Sequence, residues 1–269
     1  MDFLNIVILS FIQGLSEFLP ISSSGHLIIF QNILGTNQEG SIAFDVALHL
    51  GTIIAIAVFF SKDFWILVRD SCLFLIGKEK KPKLMFQVIA STIPAFIMGF
   101  ILIYFKLTDY FRIIPIIAFN LIFFGIILYY VDIKSDQNVT FDDISTKQGF
   151  LIGLAQALAL IPGVSRSGIC ITMGRFLNID KVSSIKYGML ISIPSILGAG
   201  LITLIKELES SQFALSDFAW GILLSFIFGL LVIKLILEFV KRFSFKAFMI
   251  YRIALGTIIL IYYFGNFQI

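Results

Sequence analysis

The chain has 269 residues, 58% of them hydrophobic and only 14% charged, with 20 Lys and Arg against 17 Asp and Glu for a net charge of +3. A soluble domain carries about a quarter charged residues, so this chain lacks the polar surface to cover a water-soluble globule. The composition excludes a disordered chain, a disulfide scaffold and a nucleic-acid module with a basic face, and predicts one multi-spanning membrane domain over residues 1–269 with no linker.

In chain order, the first apolar stretch, residues 2–30, is broken at its centre by Pro20-Ile21-Ser22-Ser23-Ser24-Gly25. Its start lacks a basic segment and the run carries Gln13 and Glu17, so no cleavable signal peptide is expected. Pro, Gly and Ser clusters make turns and helix caps. Non-helical backbone at membrane depth persists only where protein or trapped water satisfies it. The stretch therefore reads as a re-entrant hairpin of two half-length helices, residues 2–34, with its tip inside the membrane. Residues 44–60 read as a full crossing, since about 20 apolar residues span the hydrocarbon core. Residues 64–77 are apolar but carry Arg69 and Asp70, and read as an amphipathic helix at the interface. Residues 84–105 and 113–131 are further crossings. Residues 148–177 repeat the broken pattern around Pro162-Gly163-Val164-Ser165-Arg166-Ser167-Gly168 and read as a second re-entrant hairpin, 148–178. Residues 187–205, 218–240 and 247–264 complete six crossings in an all-α polytopic architecture.

The two broken stretches share a register. Gln13 and Gln156 differ by 156 − 13 = 143, and the same offset pairs Leu15 with Leu158, Ser22 with Ser165, Ser24 with Ser167 and Gly25 with Gly168. It continues to Phe44 with Tyr187 and Ile53 with Ile196, while Pro20 and Pro162 need a one-residue shift. Such a constant offset marks an internal repeat, residues 1–131 and 148–269 in round numbers. Lys and Arg favour the cytoplasmic side. Lys62, Arg69, Lys78, Lys80, Lys81 and Lys83 place residues 61–83 inside, and counting crossings puts Lys241, Arg242 and Lys246 inside as well. The loop with Lys206, Glu207, Glu209 and Asp217 falls outside, and the net acidic stretch 132–147 falls inside against the trend. On this count the two repeats are inverted and both termini face outward.

A charge at the bilayer centre costs at least about 2.5–3.5 kcal/mol. Glu17, His26, Arg166 and Arg175 sit within or beside the hairpins all the same. A bare structural pairing of Glu17 with Arg166 is one reading; a functional site is the default for intramembrane ions. Helix N-termini at both tips present unpaired N–H groups and positive dipole ends, which suit an anion. Arg166 adds a planar cation fitted to phosphate oxygens, and Ser22, Ser23, Ser24, Ser165 and Ser167 add hydroxyls. The expected ligand is a phosphate or diphosphate. Ser23 and His26, three apart at a helix start, can share a face, and with Glu17 they have the parts for phosphoryl transfer. Glu17 with Gln13 one turn earlier could instead hold Mg2+ or Ca2+. His49, with Asp45 one turn before it, reads more readily as a packed core histidine. There is no zinc-type ligand spacing, and Cys72 and Cys170 read as free, inert thiols.

The segment Gln13-Gly14-Leu15-Ser16-Glu17-Phe18-Leu19-Pro20-Ile21-Ser22-Ser23-Ser24-Gly25-His26-Leu27 resembles the (E/Q)xxxE…P-I/V-S-S-S/T-G-H motif of the bacterial undecaprenyl-diphosphate phosphatases, the bacitracin-resistance family. Residues 162–168 resemble the same family's PGxSRSxxT motif, with Cys170 standing where that motif ends in Thr; segments 44–52 and 192–200 are similar too. The resemblance covers the whole chain. It implies an enzyme of the bacterial plasma membrane, opening toward the outer face, that removes the terminal phosphate of undecaprenyl diphosphate to recycle the lipid carrier for peptidoglycan synthesis. It implies a divalent cation, Mg2+ or Ca2+, with Glu17 and Gln13 at the acidic pair, Ser23 as nucleophile, His26 as general acid/base and Arg166 as phosphate clamp. The partners expected are the polyprenyl diphosphate, membrane lipids and a second copy of the chain in a homodimer; no nucleic acid is expected. The inverted repeat leaves a second reading open, a polyprenyl-phosphate flippase that binds phosphate without hydrolysing it.

Overall fold

The computed structural model of the chain describes residues 1–36, 41–79, 81–111, 113–208 and 214–265, without the side chains of residues 41, 42, 108, 109 and 202–208. Lys80 and Glu209, counted above for orientation, lie outside the described residues, as do the side chains of Lys206 and Glu207. The elements are α1 Phe3–Phe18, α2 Ser23–Leu34, α3 Ser41–Phe59, α4 Ser61–Leu75, α5 Lys83–Tyr104, the single turn α6 Thr108–Phe111, α7 Ile114–Lys134, α8 Thr146–Leu158, α9 Arg166–Phe176, α10 Lys181–Leu208, α11 Leu215–Arg242 and α12 Lys246–Phe264. Among the described residues the only β pairing is an isolated bridge between Val139 and Ile179.

Five of these helices, α5, α7, α10, α11 and α12, are long and apolar enough to cross a membrane. Large apolar side chains such as Phe100, Phe119, Leu231 and Ile258 cover their outer faces, the surface that lipid rather than water accommodates. The sixth crossing expected, residues 44–60, corresponds to α3, which meets α4 at a break with a 93° bend. No residue of α4 is buried. Its mixture of Lys62, Asp63, Arg69 and Asp70 with Trp65 and Ile66 explains why it leaves the line of α3 instead of extending it.

The two broken stretches fold as two helix pairs, α1–α2 and α8–α9, each bent at its Pro/Gly/Ser cluster. Their packing crosses between the halves of the chain. α1 lies on α11 and α8 lies on α5, while α3 packs on both α10 and α11, and α7 on α12. Small residues permit the close approaches. A Cβ on Gly153 of α8 would lie 2.4 Å from the Ser91 carbonyl oxygen of α5, and one on Gly14 of α1 would lie 2.6 Å from Cβ of Phe228 in α11. Three apolar clusters result. One joins Phe18, Ile56, Leu190, Ile193 and Ile236; a second holds Val88, Ile152, Ile169, Cys170 and Ile191; a third, around Leu9, Leu27 and Leu48, seats the first helix pair.

Candidate active site

The bends follow from local backbone constraints. Pro20 and Pro162 disfavour helix in the residue before them, and Leu19 is extended with ψ 144°. The chain then enters α2 through Ser22 at φ 77° and α9 through Ser165 at φ 73°, preceded by Gly163 at φ 88°. A left-handed φ is uncommon outside glycine, yet it occurs here at two serines separated by 165 − 22 = 143 positions. The Ser165 hydroxyl accepts the Gly168 N–H at 3.2 Å, an N-cap for α9.

The two bends meet. Ser167 Oγ donates to the Leu19 carbonyl at 2.9 Å, and Arg166 Nη2 makes an ion pair and hydrogen bond with Glu17 Oε1. The other carboxylate oxygen of Glu17 accepts Ser23 Oγ at 2.9 Å and Gln13 Nε2 at 3.1 Å, and lies 3.7 Å from His49 Nε2. Glu17 is buried in the last turn of α1, while Arg166 and Ser23 are half-buried. In front of them lies a cavity of about 340 Å3, bordered by Ser23, Ser24, His49, Gln156, Arg166 and Ser195, with Ser22, Asp45 and Ser165 on its wall.

Of the residues expected from sequence, Glu17, Gln13, Ser23 and Arg166 are thus in direct contact, and Ser22, Ser24 and Ser165 line the same cavity. Ser167 serves the contact between the bends. His26 faces another way. Its Nδ1 donates to the Ser22 carbonyl at 2.8 Å, its Nε2 accepts from the Tyr251 hydroxyl at 2.6 Å, and the two rings stack at 5.7 Å. Both ring nitrogens are therefore engaged away from Ser23 and Glu17. The imidazole beside Glu17 is that of His49, whose Nδ1 donates to the Asp45 carbonyl at 2.8 Å and leaves Nε2 toward the carboxylate. Arg175 is fully buried and separate from the cavity; its Nε pairs with Asp132 Oδ1 at 2.8 Å and its Nη1 donates to the Ile179 carbonyl. Cys170 packs as an apolar side chain, and the Thr172 hydroxyl is turned back onto the Gly168 carbonyl at 2.8 Å.

Sequence reasoning passed over three participants. Gln156 Nε2 donates to Ser195 Oγ at 3.1 Å on the cavity wall. Tyr251 holds His26, and Arg252, fully buried, reaches both bends. The signal for Arg252 was present: it is a lone cation inside an apolar run, the type of residue that is costly in a membrane and retained for a reason.

Among the described residues no three His, Cys, Asp or Glu side chains cluster as a metal site. The donors that are present suit a hard cation: Gln13 Oε1 is buried without a hydrogen-bond partner one turn from the Glu17 carboxylate. Chemically, the arrangement combines a permanent cation, a hydroxyl bonded to a carboxylate, and helix N-termini directed at one polar cavity. These are the parts for binding a phosphate and attacking it.

Comparison with known proteins agrees with this chemistry. The family model described as "Bacitracin resistance protein BacA" matches residues 6–258. An undecaprenyl-diphosphatase of Caldicellulosiruptor bescii is 41% identical over 257 residues, 96% of each chain. Those of Jannaschia sp. and Campylobacter curvus are each 38% identical over 264 and 263 residues, covering 97% of this chain and 98% of their own length.

Proposed function

The chain belongs to the bacitracin resistance protein BacA family, and from that premise we infer that it hydrolyses undecaprenyl diphosphate to undecaprenyl phosphate and phosphate. It is a phosphatase of a membrane, and the product is the lipid carrier that cell-wall synthesis reuses; bacitracin resistance follows at the level of the family. The relatives reported above carry the enzyme's name, and nothing favours the non-hydrolysing flippase.

The observation that supports a reaction centre at the bends is the double engagement of Glu17, bonded to Ser23 from its own bend and to Arg166 from the other. In this reading the diphosphate lies against Arg166 and the N-termini of α2 and α9, with Ser22, Ser24 and Ser165 nearby as hydroxyl donors and Ser167 tying the bends together through the Leu19 carbonyl. Ser23 Oγ, or a water held in its place, attacks the terminal phosphorus. The proton passes to Glu17 Oε2, which already accepts that hydroxyl. The bond from phosphorus to the inner phosphate's oxygen breaks, and undecaprenyl phosphate leaves. If Ser23 attacked, water then cleaves the phosphoserine and releases phosphate. The family resemblance gives His26 acid–base work. Its bond to the Ser22 carbonyl supports a role in fixing the bend ahead of Ser23, with His49 the imidazole that stands at Glu17. Gln13 Oε1 and Glu17 would hold Mg2+ or Ca2+, which when bound neutralises diphosphate charge.

The prenyl tail lies among apolar helix faces, and six crossings with two inverted re-entrant helix pairs set the cavity toward the outer face of the bacterial plasma membrane. The crossed packing, α1 on α11 and α8 on α5, supports the repeat. A homodimer is the oligomer we propose. The test is phosphate release from undecaprenyl diphosphate by purified protein in detergent. Ser23→Ala is expected to lower kcat by about 100-fold or more, a loss on the scale of a general-base or nucleophile deletion. Parent protein that releases no phosphate would overturn the hydrolase reading; unimpaired Ser23→Ala would remove Ser23 from it. Trapping of a phosphoserine distinguishes the nucleophile from the water.

A further inference from the structure

Arg252 lies in α12, is fully buried, and among the described residues pairs with no carboxylate. All of its hydrogen bonds go to main-chain carbonyls. Nε donates to Leu121 O at 2.9 Å and Nη1 to Pro20 O at 3.2 Å. Nη2 donates to Asn120 O at 3.1 Å, Gly163 O at 2.9 Å and Val164 O at 3.0 Å. Pro20 belongs to the first bend, Gly163 and Val164 to the second, and Asn120 and Leu121 to α7. Pro20 and Gly163 are separated by 163 − 20 = 143 positions, the repeat offset, and each stands three residues before a residue of the site, Ser23 and Arg166. Space for the side chain is cleared by glycines: a Cβ on Gly125 would lie 3.1 Å from Arg252 Cβ, and one on Gly168 would lie 3.0 Å from Nη1.

We propose that Arg252 is a positioning residue that clamps the two bends together from behind, fixing Ser23 and Arg166 at one distance and keeping the N-termini of α2 and α9 aimed at the same phosphate. Each bend exposes carbonyls that leave the helix ladder of α1 or α8, and in a membrane these need donors from protein. A guanidinium has five N–H donors in a rigid fork and stays charged, so it serves carbonyls from three elements at once. Its positive charge also offsets the negative ends of α1 and α8 that converge on the bends. On the cavity side the bends are tied by Ser167 Oγ to Leu19 O and by the Arg166–Glu17 ion pair, contacts made by side chains, whereas Arg252 grips the backbones of both bends from behind. Lysine keeps the charge but has one nitrogen, which cannot span these carbonyls.

The inference rests on the phosphatase reading, and its test separates the two. Phosphate release is measured in detergent, per folded molecule, for the parent, Arg252→Lys and Gly125→Ala. The last keeps the guanidinium but presses a methyl group against its stem. Splayed bends bind diphosphate less well and misplace Ser23, so Arg252→Lys is expected to raise KM about 5-fold or more and lower kcat about 10-fold, as follows from sub-ångström to 1 Å misplacement. Gly125→Ala is expected to shift both constants in the same directions by less. A residue that only stabilised the fold would reduce the amount of folded enzyme and leave KM unchanged. Parent enzyme that hydrolyses, together with unchanged KM and kcat in folded Arg252→Lys, overturns the clamp alone; if Arg252→Lys does not fold, unchanged KM in Gly125→Ala overturns it. Parent enzyme that releases no phosphate overturns the phosphatase reading instead.

Discussion

Ser22 and Ser165 set the scale at which this site is built. A non-glycine residue in the left-handed region costs of order 1 kcal/mol or more, and both serines carry that strain at the step into a helix. What holds Ser22 there is in part His26, whose imidazole donates to the Ser22 carbonyl. Sequence legibility was uneven at this scale. Glu17, Arg166, Gln13 and Ser23 were readable because charges and hydroxyls stand out in an apolar run. The roles of the two histidines were not, since a spacing of three places two side chains on one helix face without saying which neighbour each will meet. Tyr251, which draws His26 away, comes from 225 residues further along. The unpartnered Gln13 Oε1 gives a prediction of its own. Chelating divalent cations is expected to abolish phosphate release, with Mg2+ or Ca2+ restoring it. Gln13→Leu should raise the cation concentration for half-maximal activity by roughly tenfold, the order of change seen when a group supporting a metal site is removed. An unchanged cation requirement would show that Gln13 is no ligand.

At the level of the elements, two half-length helix pairs are held by glycine-mediated contacts with full-length partners. The α5–α8 contact is one close case, with Gly153 against the Ser91 backbone and Gly149 under the Tyr187 hydroxyl, which itself bonds Ser91 Oγ at 2.7 Å. Gly153→Ala has no room without separating the two helices, so it is expected to destabilise the protein by about 1–3 kcal/mol. The loss is read as a lower thermal midpoint in detergent; an unchanged midpoint would show that the helices part freely. The breaks in α1–α2 and α8–α9 were legible because Pro, Gly and Ser interrupt the apolar pattern. The sharp turn between α3 and α4 was only half legible: composition marked residues 64–77 as unfit to cross, but the helix resumes immediately at Ser61, with no loop between. Helix partners such as α1 with α11 were not legible at all, since a single sequence carries no record of which distant apolar faces will meet.

For the molecule as a whole, the distribution of Lys and Arg assigns each loop to a side of the membrane. A single cysteine at Lys78→Cys, with Cys72 and Cys170 replaced by serine, should be labelled by a membrane-impermeant maleimide only after permeabilisation. Labelling of intact cells at position 78 would invert the proposed orientation. The offset of 143 was legible in the sequence, and the positive φ shared by Ser22 and Ser165 falls at that same offset. The residue that grips both halves, Arg252, was not, because repeat symmetry directs attention to paired positions and this arginine acts alone on carbonyls from both.

The contact between Glu17 and Arg166 joins residues 149 positions apart, and α1 takes its main support from α11, still further along the chain. A ribosome moving at about 5–20 residues per second needs roughly 7–30 s to pass from one partner to the other. During that interval the newborn carboxylate has emerged into the lipid phase or its insertion machinery with neither its cation nor its seat yet synthesised. Until the second helix pair is made, Glu17 of the first has no cation to pair with, and the vulnerable moment in this protein's life comes before it can perform any chemistry.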